Sequence, residues 1–147
     1  MIDTDLRVRH AVYQHFAATG EAPTAAGLAA GLGLTPEDTA ASFQRLFERR
    51  LLVLGPDHEQ ILMAPPFSGV PTQHRVIVEG REYFANCAWD ALGVVAALQR
   101  DGLVRSRCEQ SREPLDIPVH ADGPEPVPCV VHFAVPASFW WRDIVFT

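Results

Sequence analysis

Apolar positions recur at helical spacing through roughly the first third of the chain and then shift to shorter, strand-like runs. Leu6, Val12, Tyr13 and Phe16 gather on one side of a first helix that Asp5 can cap, although Arg9 intrudes on that side. The helix is expected to run to about Ala18 and to stop at Gly20. Thr24 can cap a short second helix, Ala25 to Ala30, ended by Gly31 and Gly33. Thr35-Pro36-Glu37-Asp38 is a strong third start: a capping hydroxyl, proline at the first position and acids in the first turn. Ala40, Phe43, Phe47 and Leu51 follow at helical spacing. Leu51-Leu52-Val53-Leu54, a Gly55-Pro56-Asp57 turn and Gln60 to Ala64 then predict a hairpin. Three short helices and a hairpin form a winged-helix-like module over residues 1–64.

Residues 65–72 are expected to be a connector that lies on a surface, because Phe67 and its neighbours are apolar for a free linker. The remainder, 73–147, is strand-rich around one helix. Gln73 to Val78 and Arg81 to Phe84 pair across a Glu79-Gly80 turn. The helix runs to about Arg100, ending near Asp101-Gly102, followed by strands at Leu103 to Glu109 and Leu115 to Val119. Ala121 to Pro126 reads as a loop. Val127 to Val135 reads as another strand, with Val127, Cys129, Val131, Phe133 and Val135 on one face, which would make Cys129 a core residue. Phe139 to Thr147 opens a last element. The predicted fold class is α+β: the winged-helix-like module, then a small mixed sheet packed around one central helix. No internal repeat is visible, and the even spacing of the three cysteines carries no meaning of its own.

The start of the central helix is where chemistry concentrates. Asn86 is a good N-cap residue, which puts Cys87 at about the first helical position and Asp90 three residues on. Three residues are roughly 300° of helix, so thiol and carboxylate project to neighbouring points of one face. Ala91, Val94, Val95 and Leu98 extend that face as apolar surface. A helix N-terminus favours negative charge and should lower the thiol pKa, whereas partial burial should raise that of the acid, which suits a proton donor. The same residues also permit a plainer reading, in which Cys87 is a small buried hydrophobe and Asp90 an acid near a helix start.

Composition narrows the classes. With 147 residues, 48% of them hydrophobic and 20% charged, the chain can bury a core in one domain or two small ones. The net charge of −6 argues against a nucleic-acid partner. The third helix offers Arg45, Arg49 and Arg50, but Glu37, Asp38 and Glu48 lie among them. Three cysteines without a Cys-x-x-Cys pair favour a reducing compartment over a disulfide framework. No apolar run approaches a membrane span, and the acidic opening Met1-Ile2-Asp3-Thr4-Asp5 lacks a signal-peptide core, so a cytoplasmic protein is expected. The six histidines show no short-spaced ligand pair of the kind that zinc sites use.

The segment Cys87-Ala88-Trp89-Asp90-Ala91-Leu92 resembles the alkylmercury (organomercurial) lyase family, which carries Cys-Ala-x-Asp-x-Leu at the start of a helix. The stretch from Pro66-Phe67-Ser68 to Arg81 and Tyr83 is similar to that family's lead-in, and Cys108 matches a downstream family cysteine regarded as structural. The resemblance implies protonolysis of a carbon–mercury bond. Cys87 would bind mercury and Asp90 would deliver the proton. No organic cofactor is implied: Hg(II) is the bound product, and cellular thiols or a mercuric reductase would accept it. Cys108 and Cys129 are the other thiols available to the metal. The resemblance also implies a second catalytic cysteine just after a segment similar to Phe139–Thr147. The expectation is therefore a fragment that stops short of it or a member that lacks it. Two alternatives stand beside this reading: a non-catalytic relative binding mercury or another thiophilic metal, and a winged-helix metal-responsive regulator.

Overall fold

The computed structural model describes residues 3–144. The first two residues and the end of the predicted last element, 145–147, lie outside the described residues. The chain divides into two compact units, the first ending at Pro71 and the second beginning at Thr72.

In the first unit the helices are α1 (Asp3–Thr19), α2 (Ala25–Leu32) and α3 (Pro36–Glu48). Two caps form as the sequence predicts. The Thr24 hydroxyl accepts from the Gly27 N–H at 3.0 Å and the Thr35 hydroxyl from the Asp38 N–H at 3.0 Å. Gly33 closes α2 in the left-handed conformation that a Cβ disfavours, whereas Gly31 lies within the helix. Asp5 is not a cap. It lies inside α1 and is only 1% exposed. Its carboxylate accepts from the Ser42 hydroxyl at 2.7 Å and from Arg45 Nη2 at 2.7 Å and Nε at 3.0 Å. A buried carboxylate is tolerable only with such partners. They also turn α3 so that Thr39, Ser42, Phe43 and Leu46 face inward, in place of the Ala40–Phe43–Phe47–Leu51 stripe. Arg45 is thereby committed to an internal ion pair.

Strands β1 (Val53–Leu54) and β2 (Ile61–Ala64) form the predicted antiparallel pair. The expected connector holds a third strand instead, β3 (Phe67–Ser68), antiparallel to β2. Phe67 is buried and stacks on Phe16 of α1 with ring centroids 5.3 Å apart, so this apolar stretch belongs to the core.

The second unit is a sheet with one helix against it. Its strands are β4 (His74–Val78), β5 (Arg81–Ala85), β6 (Gly102–Arg107), β7 (Pro114–His120) and the short β8 (Gly123–Pro124). Their order is β5-β4-β6-β7-β8, and each pairing is antiparallel, not mixed as expected. The β4–β5 turn sits on Glu79 and Gly80, both with positive φ, as a two-residue hairpin requires. Helix α4 (Ala88–Leu98) follows β5 directly. Val76, Val78, Tyr83, Ala85 and Val104 are buried in the sheet, and Ala91, Val94 and Val95 are buried in the helix. This unit departs from expectation at 127–135, where no strand forms. Pro124, Pro126 and Pro128 lack the N–H groups a ladder needs, and Cys129 N–H turns back to the Val127 carbonyl at 2.8 Å.

The closest approach between helix and sheet is at Gly102. A Cβ there would lie 2.9 Å from Val78 Cγ2, 3.0 Å from Val95 Cγ2 and 3.2 Å from the Ile77 carbonyl oxygen. Both valines are stiff at χ1, and the third neighbour is backbone. Gly102→Ala is therefore expected to lift α4 and destabilise the fold by about 1–3 kcal/mol, the usual cost of overpacking. Urea unfolding checks it; a midpoint equal to the parent's contradicts the close contact.

Candidate active site

The residue that caps α4 is Cys87 and not Asn86. Cys87 has extended backbone, φ −143° and ψ 177°, and its sulfur accepts the Asp90 N–H at 3.4 Å. The Asn86 side chain is used elsewhere: Nδ2 donates to the Ile144 carbonyl at 3.3 Å. The register therefore moves by one, and the pair spans the cap and the third helical position. Cys87 Sγ also donates to Asp90 Oδ2 at 3.5 Å. The two contacts have the reciprocal form of a capping box, with a thiol in place of a hydroxyl.

The thiol pKa departs from expectation in sign. Burial pushes the Cys87 thiol above its ordinary value, and the neighbouring Asp90 charge adds to this; the Asp90 N–H bond only partly opposes it. Desolvation outweighs the helix terminus here because the group is half-buried and has an acid as its nearest neighbour. Asp90 follows the expectation: burial raises its pKa, and the hydrogen bond from Cys87 only partly offsets that. The site is thus a proton-bearing thiol resting on a carboxyl with increased proton affinity. Such a pair can exchange a soft metal for the thiol proton and hold that proton one bond away.

The other thiols are placed differently. Cys108 lies just beyond β6, in the turn to β7, where the Ser111 N–H donates to its sulfur at 3.5 Å. Hydrogen bonds from Ser111, side chain first and then backbone, lower its pKa. Cys129 is exposed and not a core residue, in the proline-broken segment after β8. That segment returns to the start of α4. Phe133 packs edge-on against Trp89, with centroids 6.4 Å apart and planes at 68°. Trp140 packs on Phe133 at 4.9 Å, and its Nε1 donates to the Val135 carbonyl at 2.9 Å. Local sequence pattern does not mark Asn86 and Trp89 as anchoring residues. The available signal was the aromatic density of Phe133 to Trp141 in a segment too proline-rich for a strand. Two histidines also acquire partners. His74 Nδ1 lies 2.8 Å from Ser106 Oγ, and His120 lies between Asp101 and Glu125 at 3.2 Å from each.

Fold and site together define an α+β protein with a thiol–carboxyl pair at a helix start. Residues 67–147, more than half of the chain, match the family model of alkylmercury lyase, MerB, and the chain belongs to that family. Its fold is similar to the crystal structure of the mercury-bound form of MerB2, with a TM-score of 0.69 and 24% sequence identity over 86% of this chain. The matched region covers 60% of that chain, so the protein spans less than two thirds of the length of this relative. No curated protein matches the chain.

The opposite shifts of Cys87 and Cys108 have a direct consequence. Alkylation proceeds through the thiolate, so at pH 7 iodoacetamide is expected to modify Cys108 before Cys87, as peptide mapping after partial reaction can show. Asp90→Asn removes the negative charge beside the sulfur and is expected to speed modification of Cys87 severalfold. Equal rates in parent and variant would contradict the coupling.

The raised pKa of Asp90 also makes stability depend on pH. A carboxyl whose folded pKa lies above its unfolded value contributes stability that is fully present below the unfolded value. That stability is lost as pH rises through the folded value. Asp90→Asn is therefore expected to raise the unfolding midpoint at pH 7, with the gain shrinking below the ordinary carboxylate range. Thermal unfolding at both pH values checks the sign.

Proposed function

We propose that this protein cleaves the carbon–mercury bond of organomercurials by protonolysis. The observation that carries the reading is the 3.5 Å contact between Cys87 Sγ and Asp90 Oδ2 at the start of α4. It lies within the segment matched to the alkylmercury lyase family. Mercury is soft and thiolate is its natural ligand. As the Cys87 sulfur–mercury bond forms, the thiol proton passes to the Asp90 carboxylate and the halide or other leaving ligand departs as an anion.

A second thiolate then adds to mercury and releases its proton to solvent. Cys129 is the better candidate for this role. It is exposed, and it lies four residues before Phe133, which packs on the second residue of α4. Cys108 sits in the β6–β7 turn with its sulfur engaged by Ser111. Electron density from two sulfurs weakens the carbon–mercury bond. The bond's electron pair stays with carbon, and Asp90 protonates it. Hydrocarbon leaves, the carboxylate is restored, and Hg(II) remains on the two thiolates. Cellular thiols then remove the product, or a mercuric reductase accepts it.

Separate measurement of mercury retention and hydrocarbon release tests the assignment. Asp90→Asn is expected to keep capture of phenylmercury and to lose about 10²–10⁴-fold in benzene release, the usual contribution of a general acid. Cys87→Ser is expected to lose capture, since oxygen is a poor ligand for a soft metal. Cys129→Ser is expected to retain capture and slow release. Benzene formation by Asp90→Asn at the parental rate removes Asp90 as proton donor. A parent that binds mercury without releasing hydrocarbon replaces the lyase reading with a mercury-binding one.

A further inference from the structure

Trp89 stands between the two residues of the site in sequence, two after Cys87 and one before Asp90, yet it takes no part in the thiol–acid pair. It is 59% exposed, unusual for an indole, while Ala91, Val94 and Val95 of the same helix are buried. Its one described ring neighbour is Phe133, which meets it edge-on and is itself 37% exposed. An edge-on contact leaves the flat faces of an aromatic pair available to a third ring. The arrangement is anchored behind the pair. Trp140 packs on Phe133 and is tied to the Val135 carbonyl, and Asn86 holds the Ile144 carbonyl on the other side of Cys87. An aromatic surface thus flanks the thiol, built from one residue of α4 and one of the returning segment.

We propose that Trp89 and Phe133 form a specificity wall for the organic group on mercury and favour aryl over methyl substrates. This rests on capture of organomercurials at Cys87, and not on their cleavage. The carbon bound to mercury must come within reach of Asp90, which adjoins Trp89 in the chain. A substituent extending from that carbon by the size of a phenyl ring meets the indole, and a methyl group falls short of it. An added aromatic contact is worth about 0.5–1.5 kcal/mol, or roughly 2- to 12-fold in affinity. The wall acts on the ratio between substrates, because it contributes nothing to the sulfur–mercury bond itself.

The test is competitive capture by the full chain of phenylmercuric acetate and methylmercuric chloride, with a small thiol as buffer ligand and bound mercury read by mass spectrometry. The parent is expected to prefer phenylmercury, relative to the thiol buffer's own preference. Trp89→Ala is expected to reduce that preference by about 2- to 12-fold. Phe133→Ala is expected to reduce it in the same direction, and Trp89→Phe to restore most of it. If Trp89 only holds the returning segment in place, both mercurials change together and the ratio stays constant, which overturns the proposal. A concentration-dependent dimer abolished by Trp89→Ala, with the ratio unchanged, assigns the surface to a second copy and overturns it too. Because capture is measured without turnover, the ratio decides for or against the wall even in a protein that binds mercurials and releases no hydrocarbon.

Discussion

Between Val78 of β4 and Val95 of α4 there is space for a glycine hydrogen at position 102 and little more. That contact sets how close the helix lies to the sheet and fixes its C-terminal half over β4 and β6. Since α4 follows β5 after only Asn86 and Cys87, its other half has little freedom. The cap residue emerges at the edge of a packed layer, half-covered and half-open. The chemistry of the site descends from this placement. A thiol at a fully solvated helix start would feel the helix terminus and little else. Held at the rim of an apolar layer beside an acid, it feels desolvation first.

That ordering changes what kind of site this is. A cysteine with a depressed pKa is a standing nucleophile, open to any electrophile in the cell. A protonated cysteine resting on a carboxyl is selective for partners that can displace its proton, and soft metals do so strongly. The carboxyl is suited to receive that proton, because its own surroundings favour the neutral form. The two shifts therefore support each other.

Much of the fold was legible because its signals are local. Thr24 and Thr35 cap their helices, Gly33 ends its helix, and Glu79-Gly80 makes its turn, each governed by the few residues on either side. The departures all depend on distant partners. Asp5 has the composition of a cap and becomes a buried ion-pair partner only because Ser42 and Arg45 come from α3. Asn86 is the better cap by propensity, yet its amide is taken by a carbonyl 58 residues away. Cys129 alternates with apolar residues, as a core strand would, but the prolines before it prevent pairing. The motif and its pairing with Asp90 were visible in the spacing. The sign of the thiol shift was not, because burial is a property of the packed unit.

The use of sulfur as a helix cap carries an evolutionary consequence. A serine at position 87 would retain an acceptor for the Asp90 N–H and bind it better, since oxygen is the stronger acceptor. Asparagine at position 90 would remove an ion that the fold prefers not to bury. Both changes lie a single step from the present residues in chemical type, and neither disturbs packing. In a lineage released from its chemistry, drift would run toward that pair of substitutions and would leave the core behind α4 untouched. Loss of the site would then be silent in the fold: descendants would keep the same helix on the same sheet, with a somewhat firmer first turn and no affinity for a soft metal.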